Sequence, residues 1–238
     1  MLGNLKALLL AGGQSTRMGT AKHLLPFIDR EPIYLHLIRQ LRKALPDTSN
    51  LYMSLYSPDQ ASGLQQDAES PYQIIYDPGR IDAVDKEECV ARRMGPAAGL
   101  LAASDTDPTA HWLVLACDYP LISYNDLEQL LVAYEEPITC FRNAEGWWEP
   151  LVGIWSPQAL KQLRQNMNAG ITGPIAVVHM LKGKAIRPSQ EESLLNTNKR
   201  QEWEDALQIA RRTADSTEGK SELAQMSCNP HHNTASLP

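Results

Sequence analysis

The sequence lacks any block of basic residues. Its 22 Lys and Arg are outnumbered by 28 Asp and Glu, leaving a formal charge of −6 over 238 residues. A general nucleic-acid binder carries a basic patch, so that class is set aside, whereas a bound nucleotide needs only a few local cations. No apolar run reaches membrane-spanning length, so no membrane partner is expected. Met1-Leu2-Gly3-Asn4 stands too close to the first apolar run to be read as a signal peptide. The four cysteines, Cys89, Cys117, Cys140 and Cys228, are far apart and form no C-x-x-C pair, which argues against zinc. Cys117 and Cys140 lie in apolar runs, where a buried, reduced thiol is expected, and a reducing cytoplasm is the matching compartment. No obvious His/Asp or Cys/His pair marks a nucleophilic centre, and there is no internal repeat.

Two familiar phosphate loops are also missing. The P-loop needs G-x-x-x-x-G-K-[ST], but Gly19 is followed by Thr20. The dinucleotide fingerprint G-x-G-x-x-G fails because Gly12 and Gly13 are adjacent, which argues against an oxidoreductase. What is present is a short apolar run, Ala7–Ala11, that ends on Gly12-Gly13 and leads to Arg17 and Lys22. Glycines let a backbone pass close to a ligand and aim its N–H groups at it, and Arg and Lys add charge-assisted hydrogen bonds to phosphate oxygens. The residues from Leu10 and Ala11 through Lys22 therefore read as a phosphate-handling loop.

Strand-like and helix-like runs alternate along the chain, which predicts an α/β fold, a single Rossmann-like three-layer domain with a mainly parallel sheet. Expected strands are Ala7–Ala11, Leu51–Tyr56, Gln73–Tyr76, His111–Cys117, Ile138–Phe141 and Pro150–Trp155. Expected helices start at Pro32, Gly95, Ser123, Ser156 and about Arg200, the last running to about Arg211. The domain is taken as 1–212. Residues 213–238 are polar and Ser/Thr/Asn-rich and read as a disordered tail, in which His231-His232 is taken as solvated rather than metal-binding. Arg80–Arg93 is dense in charge and reads as an exposed insertion.

Asp118 follows the strand His111–Cys117 directly. Ligands of open α/β sheets bind at the carboxyl ends of strands, so Asp118 should open onto the same edge as Gly12-Gly13 and could hold Mg²⁺. Ser123 is better placed than Asp118 to cap the following helix.

The string L-A-G-G-x-S-x-R-M-G-x-x-K, from Leu10 to Lys22, resembles the signature of nucleotidyltransferases similar to molybdenum cofactor guanylyltransferase, the MobA-like family. Gly95-Pro96-x-x-Gly99 and Cys117-Asp118-x-Pro120 resemble two further elements of that family. The resemblance implies several roles. Leu10, Ala11, Gly12, Gly13, Lys22, Asp77, Gly95, Gly99 and Asp118 would contact the nucleotide. Asp118 and Asn198 would hold Mg²⁺, with Asn196 supporting Asn198, and Arg17, Lys22 and Asp118 would serve catalysis. Taken alone, Asp77-Pro78-Gly79 is a common turn and Asn196-Thr197-Asn198 an N-cap. Glu149-Pro150-Leu151 is similar to the family's acceptor-side strand. Trp147 and Trp148 before it either stack on a planar ring such as a pterin or cover the sheet.

The expected reaction moves a nucleotidyl group from a nucleoside triphosphate to a phosphorylated small-molecule acceptor and releases pyrophosphate. If the resemblance holds in full, the donor is GTP and the acceptor molybdopterin. Departures keep other readings open. Lys199-Arg200 stands where the family has Thr-Pro, and Arg80–Met94 separates elements that the family keeps nearly contiguous. Ala21 and Lys22-His23-Leu24-Leu25-Pro26 are closer to cytidylyltransferase relatives. The alternatives are a cytidylyl- or sugar-phosphate nucleotidyltransferase, or a catalytically silent nucleotide-binding regulator.

Overall fold

A computed structural model describes residues 3–13, 21–46, 50–78 and 95–227, with side chains described as far as residue 213. Seven strands form one sheet in the order β3-β2-β1-β4-β6-β5-β7. These are β1 (Leu5–Leu10), β2 (Leu51–Leu55), β3 (Gln73–Tyr76), β4 (His111–Ala116), β5 (Ile138–Arg142), β6 (Trp148–Trp155) and β7 (Lys184–Ile186). β1 pairs in parallel with β2 and β4, as β2 does with β3 and β5 with β7, while β6 runs antiparallel to both of its neighbours. The sheet is therefore mainly parallel, as expected. The first half of the chain turns outward from β1 to β3 and returns to β4 on the other side. With right-handed crossovers this places helices on both faces.

The central strands are continuous apolar runs because both of their faces are covered. Ala7, Leu8 and Leu9 of β1 and Trp112, Leu113, Val114 and Leu115 of β4 are completely buried. Helix α1 (Ile33–Ala44) buries Ile33, Leu37, Ile38 and Leu41, a stripe at helical spacing. Helix α2 (Pro96–Thr106) is built of small residues and buries Ala97, Ala98, Gly99 and Leu100 in succession. Helix α3 (Tyr124–Ala133) starts on a capping box. The Ser123 side chain accepts from the Asp126 N–H, and the Asp126 carboxylate accepts from the Ser123 N–H. Helix α4 (Pro157–Asn168) is capped by Ser156, whose side chain accepts from the Ala159 N–H.

Some elements depart from expectation. β1 begins before its apolar run because Leu5 and Lys6 pair with His111 and Trp112. Helix α5 (Pro174–Met180) and strand β7 are absent from the sequence-based expectation, since both are too short to show a period. Helix α6 runs over Arg200–Ser227, so residues 213–227 are helical rather than the disordered tail expected. Its later part, with Glu218, Lys220, Glu222, Leu223, Ala224, Gln225 and Met226, is rich in good helix formers and has no proline. Residues 228–238, including His231-His232, lie outside the described residues, as does the Arg80–Arg93 insertion. Cys117 and Cys140 are free and buried, as expected. Among the described residues no helix is long and apolar enough to cross a membrane.

One buried titratable group sets a pH dependence of stability. His36 on α1 packs its ring against Phe27, with centroids 5.0 Å apart. Burial, with Lys43 and Arg39 nearby, lowers its pKa from 6.5 to about 4. Between those values the unfolded chain binds a proton that the folded chain declines, so stability should fall as pH drops through this window. Urea melts at neutral pH and at about pH 5 should show the loss, and His36→Gln should flatten it. An unchanged slope in that variant would assign the titration to another group.

Candidate active site

The first loop is anchored before it reaches any ligand. The Ala11 N–H donates to the Ser54 carbonyl at 2.9 Å, holding the end of β1 against β2. A Cβ on Gly12 would lie 2.8 Å from the Tyr56 nitrogen and 3.2 Å from the Leu55 carbonyl carbon, both backbone atoms. The missing side chain at Gly12 thus makes room for the protein's own chain, whereas a Cβ on Gly13 would meet no atom of the described residues within 4 Å. The Tyr56 N–H in turn donates to Gln60 Oε1 at 2.8 Å, and the Gln60 carbonyl lies 3.3 Å from His23 Nε2. His23 is fully buried, and burial lowers its pKa, so it stands as a neutral imidazole inside the short turn Lys22–Leu24. That turn delivers Lys22 to the carboxyl edge of the sheet. Arg17 lies outside the described residues.

Asp118 leaves the end of β4, where the Cys117 N–H donates to the Leu10 carbonyl at 3.0 Å. The Asp118 carbonyl accepts from Thr197, from the N–H at 2.9 Å and from Oγ1 at 3.2 Å. Thr197 is completely buried, so the segment Asn196–Asn198 is stapled beside Asp118 despite a separation of 79 residues. Asp118 Oδ1 is buried and has no hydrogen-bond partner. Burial raises the Asp118 pKa, while Lys22 and the Asn196 amide draw it back. An under-partnered carboxylate facing a cation at a strand end is a group held ready for a ligand.

The remaining polar groups join into one chain. Lys22 Nζ donates to Asn198 Oδ1 at 3.1 Å, and Asn198 Nδ2 donates to Asn196 Oδ1 at 2.7 Å. The Asn196 amide lies near Asp118 and Tyr119 and favours the ionised form of each. Asn198 thus accepts from Lys22 and is held by Asn196. Glu202 Oε2 accepts from the Asn198 and Lys199 N–H groups, at 2.7 and 2.8 Å, and caps α6 where the family pattern has Thr-Pro.

A second cluster lies at the ends of β2 and β3. Asp77 is buried at the end of β3. Its N–H donates to the Leu55 carbonyl at 3.0 Å, and Ser54 Oγ donates to its Oδ1 at 3.2 Å. Gly99 backs onto the same spot, where a Cβ would lie 2.6 Å from both Leu10 Cδ2 and Ser54 Oγ. Gly99 is thus explained by close packing of α2 on the sheet. At Gly95, the N-cap of α2 with φ +52°, a Cβ would have no described residue within 4 Å. Asp77 is more than a turn residue, because its carboxylate is sequestered against β2.

The Trp pair divides. Trp147 is 68% exposed at the turn between β5 and β6. Trp148 is half-buried and meets His179 of α5 edge-on, with centroids 5.8 Å apart. Sequence reasoning places Glu149 on the acceptor-side strand but misses its contact: the Tyr119 hydroxyl donates to Glu149 Oε2 at 2.5 Å. No local spacing could signal a contact made between two elements 30 residues apart.

A mainly parallel sheet whose carboxyl edge carries a glycine loop, a lysine and a buried aspartate defines a nucleotide-handling transferase, of the nucleotide-diphospho-sugar transferase type of fold. Comparison with known proteins narrows this. A profile of the MobA-like NTP transferase domain matches residues 7–179. The chain is 30% identical over 196 residues to molybdenum cofactor guanylyltransferase of Pseudomonas fluorescens, covering 80% of this chain and 88% of that protein. It is 28% identical over 202 residues to the molybdenum cofactor biosynthesis bifunctional protein of Synechocystis, covering 84% of this chain. There the chain spans about half, 52%, of the relative's length. Among solved structures, molybdopterin-guanine dinucleotide biosynthesis protein A from Archaeoglobus fulgidus superposes with a TM-score of 0.63 at 19% identity, over 87% of this chain and 99% of that one. The chain belongs to the MobA-like NTP transferase family, a family of nucleotidyltransferases.

Proposed function

We propose that this protein transfers a guanylyl group from GTP to a phosphorylated acceptor of the molybdopterin kind and releases pyrophosphate, in the cytoplasm. The observation that carries the reading is the meeting of Lys22, Asp118, Asn196 and Asn198 at the carboxyl edge of β1 and β4. The names of the relatives in Pseudomonas fluorescens and Synechocystis support the acceptor and the base.

An oxygen of the acceptor phosphate would attack the α-phosphorus, and the bond to the pyrophosphate oxygen would break in line. That oxygen is already anionic at neutral pH, so no general base is required. Catalysis then rests on positioning and charge neutralisation. Lys22 would hold charge on the triphosphate, and Arg17 would join it. Asp77 and the N-terminus of α2 would face the nucleoside.

The residues fit magnesium. Asp118 offers a buried oxygen that no described residue hydrogen-bonds, and Asn198 an amide oxygen that Lys22 now holds, hard donors of the kind Mg²⁺ takes together with substrate phosphates. Among the described residues no cluster of three or more His, Cys, Asp or Glu exists, so an all-protein metal cage is not the pattern. When bound, the ion would neutralise triphosphate charge.

The test is a titration of GTP, CTP, UTP and ATP with Mg²⁺, followed by pyrophosphate release with a panel of phosphorylated acceptors. GTP should bind tightest, and a molybdopterin acceptor should release pyrophosphate. Tighter CTP binding would move the protein to the cytidylyl side. Binding without turnover on any acceptor would make it a regulator.

A further inference from the structure

We infer that His23 and Gln60 are positioning residues that tie Gly12 to the turn carrying Lys22, so that the glycines and the lysine meet one triphosphate at a fixed spacing. The inference rests on the proposed nucleotidyl-transfer reading and names two residues to which that reading gives no role.

The chain leaves the sheet at Gly12-Gly13 and comes back through Ala21 to Lys22. Gln60 reaches both ends of this excursion. Its side-chain Oε1 accepts from the Tyr56 N–H at 2.8 Å, and the Tyr56 nitrogen is the atom that a Cβ on Gly12 would meet at 2.8 Å. Its carbonyl lies 3.3 Å from His23 Nε2. A carbonyl can only accept, so Nε2 carries the proton and the ring donates. Gln60 is itself fixed in a short turn, Pro58–Ala61, where its N–H donates to the Ser57 carbonyl at 3.1 Å. The turn Lys22–Leu24 is closed by the Leu25 N–H, which donates to the Lys22 carbonyl at 3.1 Å. The Leu25 carbonyl accepts from the Ile33 N–H at 2.9 Å, which ties that turn to α1. One bridge, Tyr56–Gln60–His23, therefore joins the backing of Gly12 to the residue beside Lys22.

His23 is a poor choice for packing alone. It is completely buried, and its ring meets Tyr34 edge-on with centroids 6.4 Å apart. With the proton on Nε2, Nδ1 is a bare acceptor, buried and without a hydrogen-bond partner among the described residues. A buried polar atom in that state lowers stability, and a leucine of similar size would avoid the penalty. What the imidazole does and a leucine cannot is donate to Gln60. The gain is one of spacing, because a ligand held at once by backbone N–H groups and a lysine is sensitive to small displacements of either.

Titration of GTP and of CTP with Mg²⁺ into the full chain, at a temperature where each variant is folded, reads this without turnover. His23→Leu and Gln60→Ala should each weaken both nucleotides by ~10–100-fold, the scale of one charged hydrogen bond lost from a phosphate. The loss should be the same for the two bases, because the bridge acts on the triphosphate. His23→Gln should recover most of the affinity, since its amide nitrogen takes the place of Nε2 and still donates to the Gln60 carbonyl. The double variant should lose little more than either single one, because the same bridge is broken. Gln60 is half-buried on a surface turn, so its variant decides the question even if His23→Leu does not fold. Wild-type affinity in Gln60→Ala and in every folded His23 variant would overturn the inference while leaving the proposed function intact, even if melting temperatures fall. A wild-type protein that binds no nucleotide would overturn both.

Discussion

Asp118→Ala is expected to slow nucleotidyl transfer by ~10²–10³-fold, the scale of losing one organised electrostatic contact, without lowering the melting temperature. The two halves of this expectation have one cause. The Asp118 carboxylate has been taken out of water, which raises its pKa, and its Oδ1 makes no hydrogen bond with any described residue. Lys22 and Asn196 compensate only in part. A charge held in that state destabilises the fold, and it persists where substrate or a cation completes the pairing. Removing it relieves the cost and leaves Lys22 still bonded to Asn198. The backbone staple from Thr197 to the Asp118 carbonyl also survives the substitution. Pyrophosphate release and a thermal melt on the same preparation give both readouts. Near-normal turnover would remove Asp118 from the reaction, and a large drop in melting temperature would make its role structural.

The adjacent glycines should separate just as sharply. Gly12→Ala should destabilise the protein by about 1–3 kcal/mol, the usual cost of forcing an extra carbon into a filled space. The new Cβ would meet the backbone of Leu55 and Tyr56, and that backbone is held by the bond from Ala11 to Ser54 and by Gln60. Gly13→Ala puts its Cβ more than 4 Å from every described residue, so stability should stay as it is while GTP affinity falls. Urea melts and nucleotide titrations on both variants test this. Equal destabilisation in the two would mean that Gly13 also serves the fold, and unchanged GTP affinity in Gly13→Ala would take it out of the nucleotide loop.

Much of the scaffold was legible because strands buried on both faces are written as unbroken apolar runs. His111–Cys117 is such a run, and the rule that ligands gather where parallel strands end leads from it to Asp118 without any fold in hand. The capping box at Ser123 and Asp126 is legible for the same local reason. What stayed hidden is non-local. Lys22 and Asn198 meet across 176 residues, and nothing near either one in the chain announces the other. The resemblance assigned the metal side to Asn198 and a supporting role to Asn196, and the bond from Asn198 Nδ2 to Asn196 Oδ1 could not be read from the three-residue segment alone. Gly99 shows the opposite limit. Its place in a short motif suggested contact with a nucleoside, while its immediate neighbours are Leu10 and Ser54.

The reversed direction of β6 has a consequence for how this scaffold can change. A parallel strand reaches the reacting edge only at its end and must then travel back through a helix. β6 starts at that edge, and a tight turn at Asn143–Gly146 joins it to β5. Substitutions or insertions in that turn would alter what stands beside the acceptor while β1 and β4, which carry Gly12 and Asp118, keep their register. On the proposed function, selectivity for the molecule that receives the nucleotide and the machinery that activates the nucleotide would be carried by separate stretches of chain, free to diverge at different rates.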